Sequence, residues 1–184
     1  MTSRRVSDDT LDSAMSDVSA ADGAPLSPYL QVALARLATA DGAAATFTVD
    51  PDPESVTAAR HFAIATLRAW DLAGLCDDVG LVASELVTNA LRHSLPACPD
   101  ESDLAPIRLR LLRAAPYVLC GVADSDIAVP LRREPDYIAE SGRGLHIVES
   151  FSARWGWTML RPTGKIVWAV FHRPGDPPRV TRPG

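Results

Sequence analysis

Glu85 and Asn89 stand four residues apart in Leu81-Val-Ala-Ser-Glu-Leu-Val-Thr-Asn-Ala-Leu-Arg-His-Ser94. On a helix of 3.6 residues per turn the two side chains lie one above the other, and Arg92 or His93 continues the stripe. A carboxylate so placed can accept a proton or order a water, and an amide oxygen one turn later can hold a hard cation such as Mg2+ on bound phosphates. Such a pair on an exposed helix is more often merely solvated, so its meaning depends on the rest of the chain. Two other stretches offer matching chemistry. Tyr117-Val-Leu-Cys-Gly-Val-Ala-Asp124 is an apolar run that ends in an acid, and a carboxylate there can accept a hydrogen bond from an exocyclic amine such as that of adenine. Gly142 and Gly144 form a Gly-x-Gly turn opening a helix, where backbone N–H groups favour phosphate. Taken singly, the acid reads more readily as a loop cap and the glycines as a common turn.

The elements that must position these residues follow from periodicity. Val79, Val82, Leu86 and Ala90 recur at helical spacing and give the Glu85 helix a core face. A preceding helix is predicted from Ser55 through Val56, Ala59, Ala63, Leu67 and Trp70, with Gly74 as its terminator. Ser27-Pro28 reads as an N-cap followed by proline in the first turn of a short helix that runs to Thr39 on Leu30, Ala33, Leu34 and Leu37. Its apolar face meets either the domain or a second subunit. Thr46 to Asp50 alternates as a short strand that Pro51 and Pro53 end. Ile107, Leu109 and Leu111 alternate with Arg108 and Arg110, predicting a half-buried strand antiparallel to a central strand over Tyr117–Asp124. Ser125 to Glu140, with Pro130 and Pro135, is a loop or lid. Trp155–Leu160 and Lys165–Phe171 form a hairpin turned through Pro162-Thr-Gly164.

With 184 residues the chain is long enough for one domain with tails. We expect a flexible tail over 1–24, a short helix and linker over 25–45, the compact domain over 46–173 and a disordered tail over 174–184. The net charge of −5 and the scattered arginines argue against a nucleic-acid footprint. Three cysteines without metal-ligand spacing, and no apolar run behind Arg4 and Arg5, fit a cytoplasmic protein without a membrane segment. Lys165 is the only lysine, which reads as a compositional habit.

Ser84-Glu-Leu-Val-Thr-Asn-Ala-Leu-Arg-His-Ser94 resembles the N box of the GHKL (HATPase) superfamily, in the form found in anti-sigma factor serine/threonine kinases of actinobacterial type. Gly142-Arg-Gly-Leu-His-Ile-Val148 resembles its G2 box, and Trp155-Gly156 with Gly164-Lys-Ile-Val-Trp168 resembles its closing hairpin. The resemblance covers roughly residues 47 to 171. It implies an α/β sandwich of the GHKL (Bergerat) type, a mixed and mostly antiparallel sheet covered on one face by helices, binding Mg-ATP between the N-box helix and a lid. By match, Glu85 would be the general base activating a serine hydroxyl or a water, and Asn89 would coordinate Mg2+. Asp124 would bind the adenine amino group, and Gly142, Arg143 and Gly144 would contact phosphate. Arg92 and His93 are expected only to support the helix.

The family's G1 box is Asp-x-Gly-x-Gly, whereas here Asp126 and Ala128 stand where the glycines fall, and Pro130 follows. Side chains there are expected to narrow the site, and an added acid near phosphates is unfavourable. The resemblance implies a regulator that holds a sigma factor and phosphorylates a STAS-type anti-anti-sigma protein, working as a homodimer. The altered box leaves a non-catalytic nucleotide- or partner-binding module as the alternative.

Overall fold

The computed structural model describes residues 15–39, 44–93, 106–130 and 144–173. Residues 131–140 of the expected loop or lid, Cys98 and both chain ends fall outside them. Six strands form one sheet in the order β1-β5-β6-β4-β3-β2. They are β1 (Met15–Ala20), β2 (Ala44–Val49), β3 (Ile107–Ala114), β4 (Tyr117–Asp124), β5 (Arg154–Leu160) and β6 (Lys165–His172). Every pairing is antiparallel, so the sheet expected to be mixed and mostly antiparallel is antiparallel throughout the described residues.

Alternation along the inner strands sends side chains to two faces. On one face Leu109 and Leu111 of β3, Val118, Cys120 and Val122 of β4, and Val167, Ala169 and Phe171 of β6 join one core. That core is closed by α2 (Glu54–Ala69), α3 (Cys76–His93) and α4 (Gly144–Phe151), through Ala59, Ala63 and Leu67, then Val79, Val82 and Leu86, then Val148. The predicted helical spacings are therefore the ones that face this core, with Val56 and Trp70 at the two ends of α2 partly buried against it. On the opposite face Leu112, Leu119, Ile166, Trp168 and Val170 pack with Leu30, Ala33, Leu34 and Leu37 of α1 (Pro28–Thr39). The short helix whose partner the sequence left open thus packs on its own domain and gives the sandwich helices on both faces.

Local chemistry sets the ends of these helices. The Ser27 hydroxyl accepts from Leu30 N–H at 3.3 Å, the N-cap that the Ser-Pro pair predicts. At the other end Arg110 donates to the carbonyls of Leu37, at 3.1 Å, and Ala38, placing a cation on the helix C-terminus. Arg110 is only 8% exposed, because α1 covers the strand face that the alternation of β3 left for solvent. Helix α2 ends one turn before Gly74. Asp71 takes a positive φ of 58°, while Leu72 N–H reaches Leu67 O at 2.9 Å and Asp71 N–H reaches Arg68 O at 3.1 Å. That is a Schellman ending with the apolar Leu72 buried beyond it; Gly74 lies in the following 3-10 turn, Ala73–Leu75.

The tail expected over 1–24 also needs correction, because residues 15–20 add an edge strand. β1 pairs with β5, Ala20 opposite Gly156 and Val18 opposite Thr158. Gly156 permits it: a Cβ there would run into the Ser19 carbonyl oxygen and lie 2.6 Å from Trp168 Cζ2. Arg154 ties down the next turn, donating to Asp22 Oδ1 at 2.9 Å, Ala24 O at 2.8 Å and Pro25 O at 3.2 Å. Among the described residues no helix is long and apolar enough to cross a membrane.

Candidate functional site

The second half of α3 brings Glu85 and Asn89 against the first residue of α4. A Cβ added at Gly144 would lie 3.0 Å from Glu85 Oε2, 3.2 Å from Asn89 Nδ2 and 3.3 Å from Asn89 Oδ1. Glycine is therefore what allows both polar side chains to reach the backbone at this helix start. Each is half-buried, so neither is simply a solvated residue on an open helix face.

Beside this junction lies a cavity of about 330 Å3, lined by Asn89, Arg92 and His93 of α3, Val122 and Asp124 of β4, Gly144 and Leu145 of α4, Lys165 and Val167 of β6, and Asp126 with Ala128 to Pro130 from the segment after β4. Its size falls within the range of small-molecule sites, and its mix of apolar walls and few polar groups is typical of them. Asn89, Asp124 and Gly144, predicted separately, meet in this one cavity. Glu85 touches the same glycine but is not part of the lining. Gly142 and Arg143 lie outside the described residues. Arg92 and His93, expected only to support the helix, both face the cavity.

The group that sequence reasoning passed over is Lys165. Antiparallel register sets the first residue of β6 opposite the last of β4, Lys165 against Asp124. The ammonium, on a residue 5% exposed, donates to Asp124 Oδ1 at 2.9 Å, Asp126 Oδ2 at 2.8 Å and Asp126 O at 3.0 Å. Three acceptors match its three N–H donors, the condition under which a buried charge is tolerated. The Asp126 N–H also donates to Asp124 Oδ1 at 3.0 Å, and the Ala128 N–H to Asp126 Oδ1 at 2.9 Å. These successive side-chain turns wind the segment after β4 into one wall of the cavity. The signal that could have revealed Lys165 was its register: a lysine opening one hairpin strand beside a neighbour that ends in aspartate.

Burial alone would push the Asp126 carboxyl up, but the Lys165 hydrogen bond, the Ala128 N–H and the charges of Lys165 and His93 together hold it below the usual carboxylate value. The acid expected to repel phosphates is thus paired with a cation. Asp126 and Ala128 do line the site, as their bulk implies, and they leave the cavity open.

The donor set suits a nucleotide with a hard cation. Apolar walls can take a base, the Asp124 carboxylate can accept from an amine, and the start of α4 offers backbone N–H groups. Among the described residues no cluster of three or more His, Cys, Asp or Glu could enclose a metal. A cation here would depend on the Asn89 amide oxygen and on ligand phosphates, a binding mode that Mg2+ commonly uses.

The family model described as Histidine kinase-like ATPase domain matches residues 49–171, more than half of the chain. The match contains every residue of the cavity and leaves β1 and α1 outside it. No curated protein matches the chain.

Proposed function

The chain belongs to the histidine kinase-like ATPase domain family, and on that premise we propose that it is an ATP-binding regulator that phosphorylates a partner protein on serine or threonine. The observation that carries this reading is the meeting of Glu85 and Asn89 at Gly144 beside the cavity that holds Asp124. Asp124 accepts from the adenine amine, and the start of α4 receives the phosphates. Glu85 takes the proton of the attacking hydroxyl, leaving that oxygen free to displace ADP at the γ-phosphorus. Mg2+, when bound, neutralises charge on the phosphates, and Asn89 is its protein ligand. The N-box resemblance favours an anti-sigma factor that acts in the cytoplasm on a STAS-type anti-anti-sigma protein, as a homodimer.

Titrating ATP calorimetrically with and without Mg2+ tests the site. We expect metal-dependent binding that Asn89→Ala weakens by at least about tenfold, roughly 1.4 kcal/mol. No heat at millimolar ATP would remove the nucleotide from the reading. A second reading, a non-catalytic module, draws on two observations: Glu85 is not in the cavity lining, and Asp126 and Ala128 replace the glycines of the G1 pattern. Bound Mg-ATP with no phosphoryl transfer to any partner would favour it.

A further inference from the structure

Lys165 sits where a ligand's base would meet the protein, and its charge is spent on two carboxylates rather than on the cavity. All three of its donors are occupied by Asp124 and Asp126, so it has no N–H left for a ligand carbonyl. Opposite an ammonium, each carboxylate is an acceptor and not an O–H donor. One cation between two carboxylates leaves this corner net negative, and of the cavity's other charged or titratable groups, Arg92 and His93 come from α3. The corner therefore suits a group that donates hydrogen bonds and disfavours one that only accepts.

We propose that Lys165 is the specificity-determining residue of the cavity: by holding Asp124 and Asp126 as acceptors it admits a purine bearing an exocyclic amine and rejects one that turns a carbonyl oxygen to the same place. The inference rests on the nucleotide reading above and adds to it a role that the Asp124 position alone does not define. Without the ammonium, two carboxylates within hydrogen-bond reach of one point cannot both stay charged at low cost, and one takes a proton. The resulting O–H is a donor, and the carbonyl purine gains a partner that it lacked.

ATP and ITP differ only along this edge of the base, a 6-amine beside an N1 acceptor in ATP against a 6-carbonyl beside an N1–H in ITP, and so are the probes. Calorimetric titration of both into the full-length protein should show ATP favoured by at least about tenfold, since a site that accepts from an amine loses a paired group with the analogue. In Lys165→Met the preference should collapse to within about threefold, chiefly through improved ITP binding, and Lys165→Arg should restore it. Mere loosening of the fold would weaken both nucleotides alike. An unchanged ATP-to-ITP ratio in Lys165→Met, with wild type binding ATP, overturns the inference and leaves the nucleotide site standing. Failure of wild type to bind either nucleotide overturns both.

Should Lys165→Met not fold, Asp126→Asn supplies the test. It removes one of the two acceptors that Lys165 holds and puts an amide able to donate in its place, so the ATP-to-ITP ratio should fall by about threefold or more, with ITP binding improved relative to ATP. An unchanged ratio in this variant, with ATP still bound, would show that the acceptors held by Lys165 do not set the preference, and would overturn the inference.

Discussion

The two faces of the sheet use the same strands for opposite ends. On the α1 face, β6 contributes Ile166, Trp168 and Val170, which meet Leu30, Leu34 and Leu37 in a closed apolar layer. Its buried polar side chains turn to partners within the layer: the Trp168 indole N–H donates to Thr158 Oγ1 at 3.2 Å, and Arg110 caps α1 through Nη1 while its Nε has no partner. On the other face the alternate residues, Lys165 and Val167, border the cavity with Asp124 and Val122. The division follows from the two-residue period of a strand. One face can be packed for stability while the other keeps a polar gap, and a site next to a closed layer is held without being filled. The match to the ATPase family begins at residue 49, after α1, so part of the layer that supports the domain from behind lies outside the family pattern.

If the faces divide stability from chemistry, Trp168 is the place where breaking one should spare the other. Its side chain is fully buried, and Trp168→Ala should cost about 3–5 kcal/mol in urea unfolding, the transfer loss plus an unfilled cavity. ATP affinity of the fraction still folded should remain within about twofold, or about 0.4 kcal/mol. A large fall in affinity at a temperature where the variant is folded would show that the two faces are coupled.

Glu85→Gln sharpens the comparison from the other side. It keeps the size of a half-buried side chain and removes the base, so phosphoryl transfer should fall by about 10²- to 10⁴-fold. ATP binding should persist, and stability should stay within about 0.5 kcal/mol of wild type, as for a substitution outside the core. Unaltered transfer in a single-turnover assay would remove Glu85 from the chemistry.

The same division explains what could be read before folding. Helix α3 and strands β3, β4 and β6 were legible because each carries its own period, and a period is a local property. Glu85, Asn89 and Asp124 could be singled out because they sit at fixed offsets within those elements, and Gly144 because its Gly-x-Gly opens the helix that follows. Lys165 could not be, since a lone lysine at a strand start reads as solvated until register places it opposite Asp124. Arg110 reads as an outward side chain of a half-buried strand, and only α1, 73 residues earlier in sequence, makes it a buried cap. Helix α2 stops at Asp71 because that residue adopts the left-handed conformation, which aspartate tolerates better than most residues but does not announce. β1 was hidden most completely. Met15-Ser-Asp-Val-Ser-Ala20 has the composition of a solvated tail, and its order comes from the exposed edge of β5, where backbone pairing needs few side chains.

That edge yields the smallest expected effect and a way to see how β1 is held. Asp22 takes the Arg154 guanidinium and the Ala24 N–H, at 2.9 and 3.1 Å. Burial alone would raise its carboxyl, but the Arg154 hydrogen bond, the Ala24 N–H, the Arg154 charge and its own backbone N–H hold it below the ordinary value of 3.8. A depressed folded value means that the unfolded chain binds the proton first, so this stabilisation is present above pH 3.8 and is lost as pH falls through the folded value. Asp22 is largely exposed, so the effect belongs to the turn and not to global unfolding. Amide protection at Ala24, and at Ala21, whose N–H donates to Trp155 O at 3.0 Å, reads it directly. Near neutral pH, Asp22→Asn should lower both protection factors relative to wild type, and the difference should close on acidification through the same window. A gap that persisted at low pH would mean that the carboxylate charge does not hold the turn, and that Gly156 and the β1–β5 ladder alone keep the strand in place.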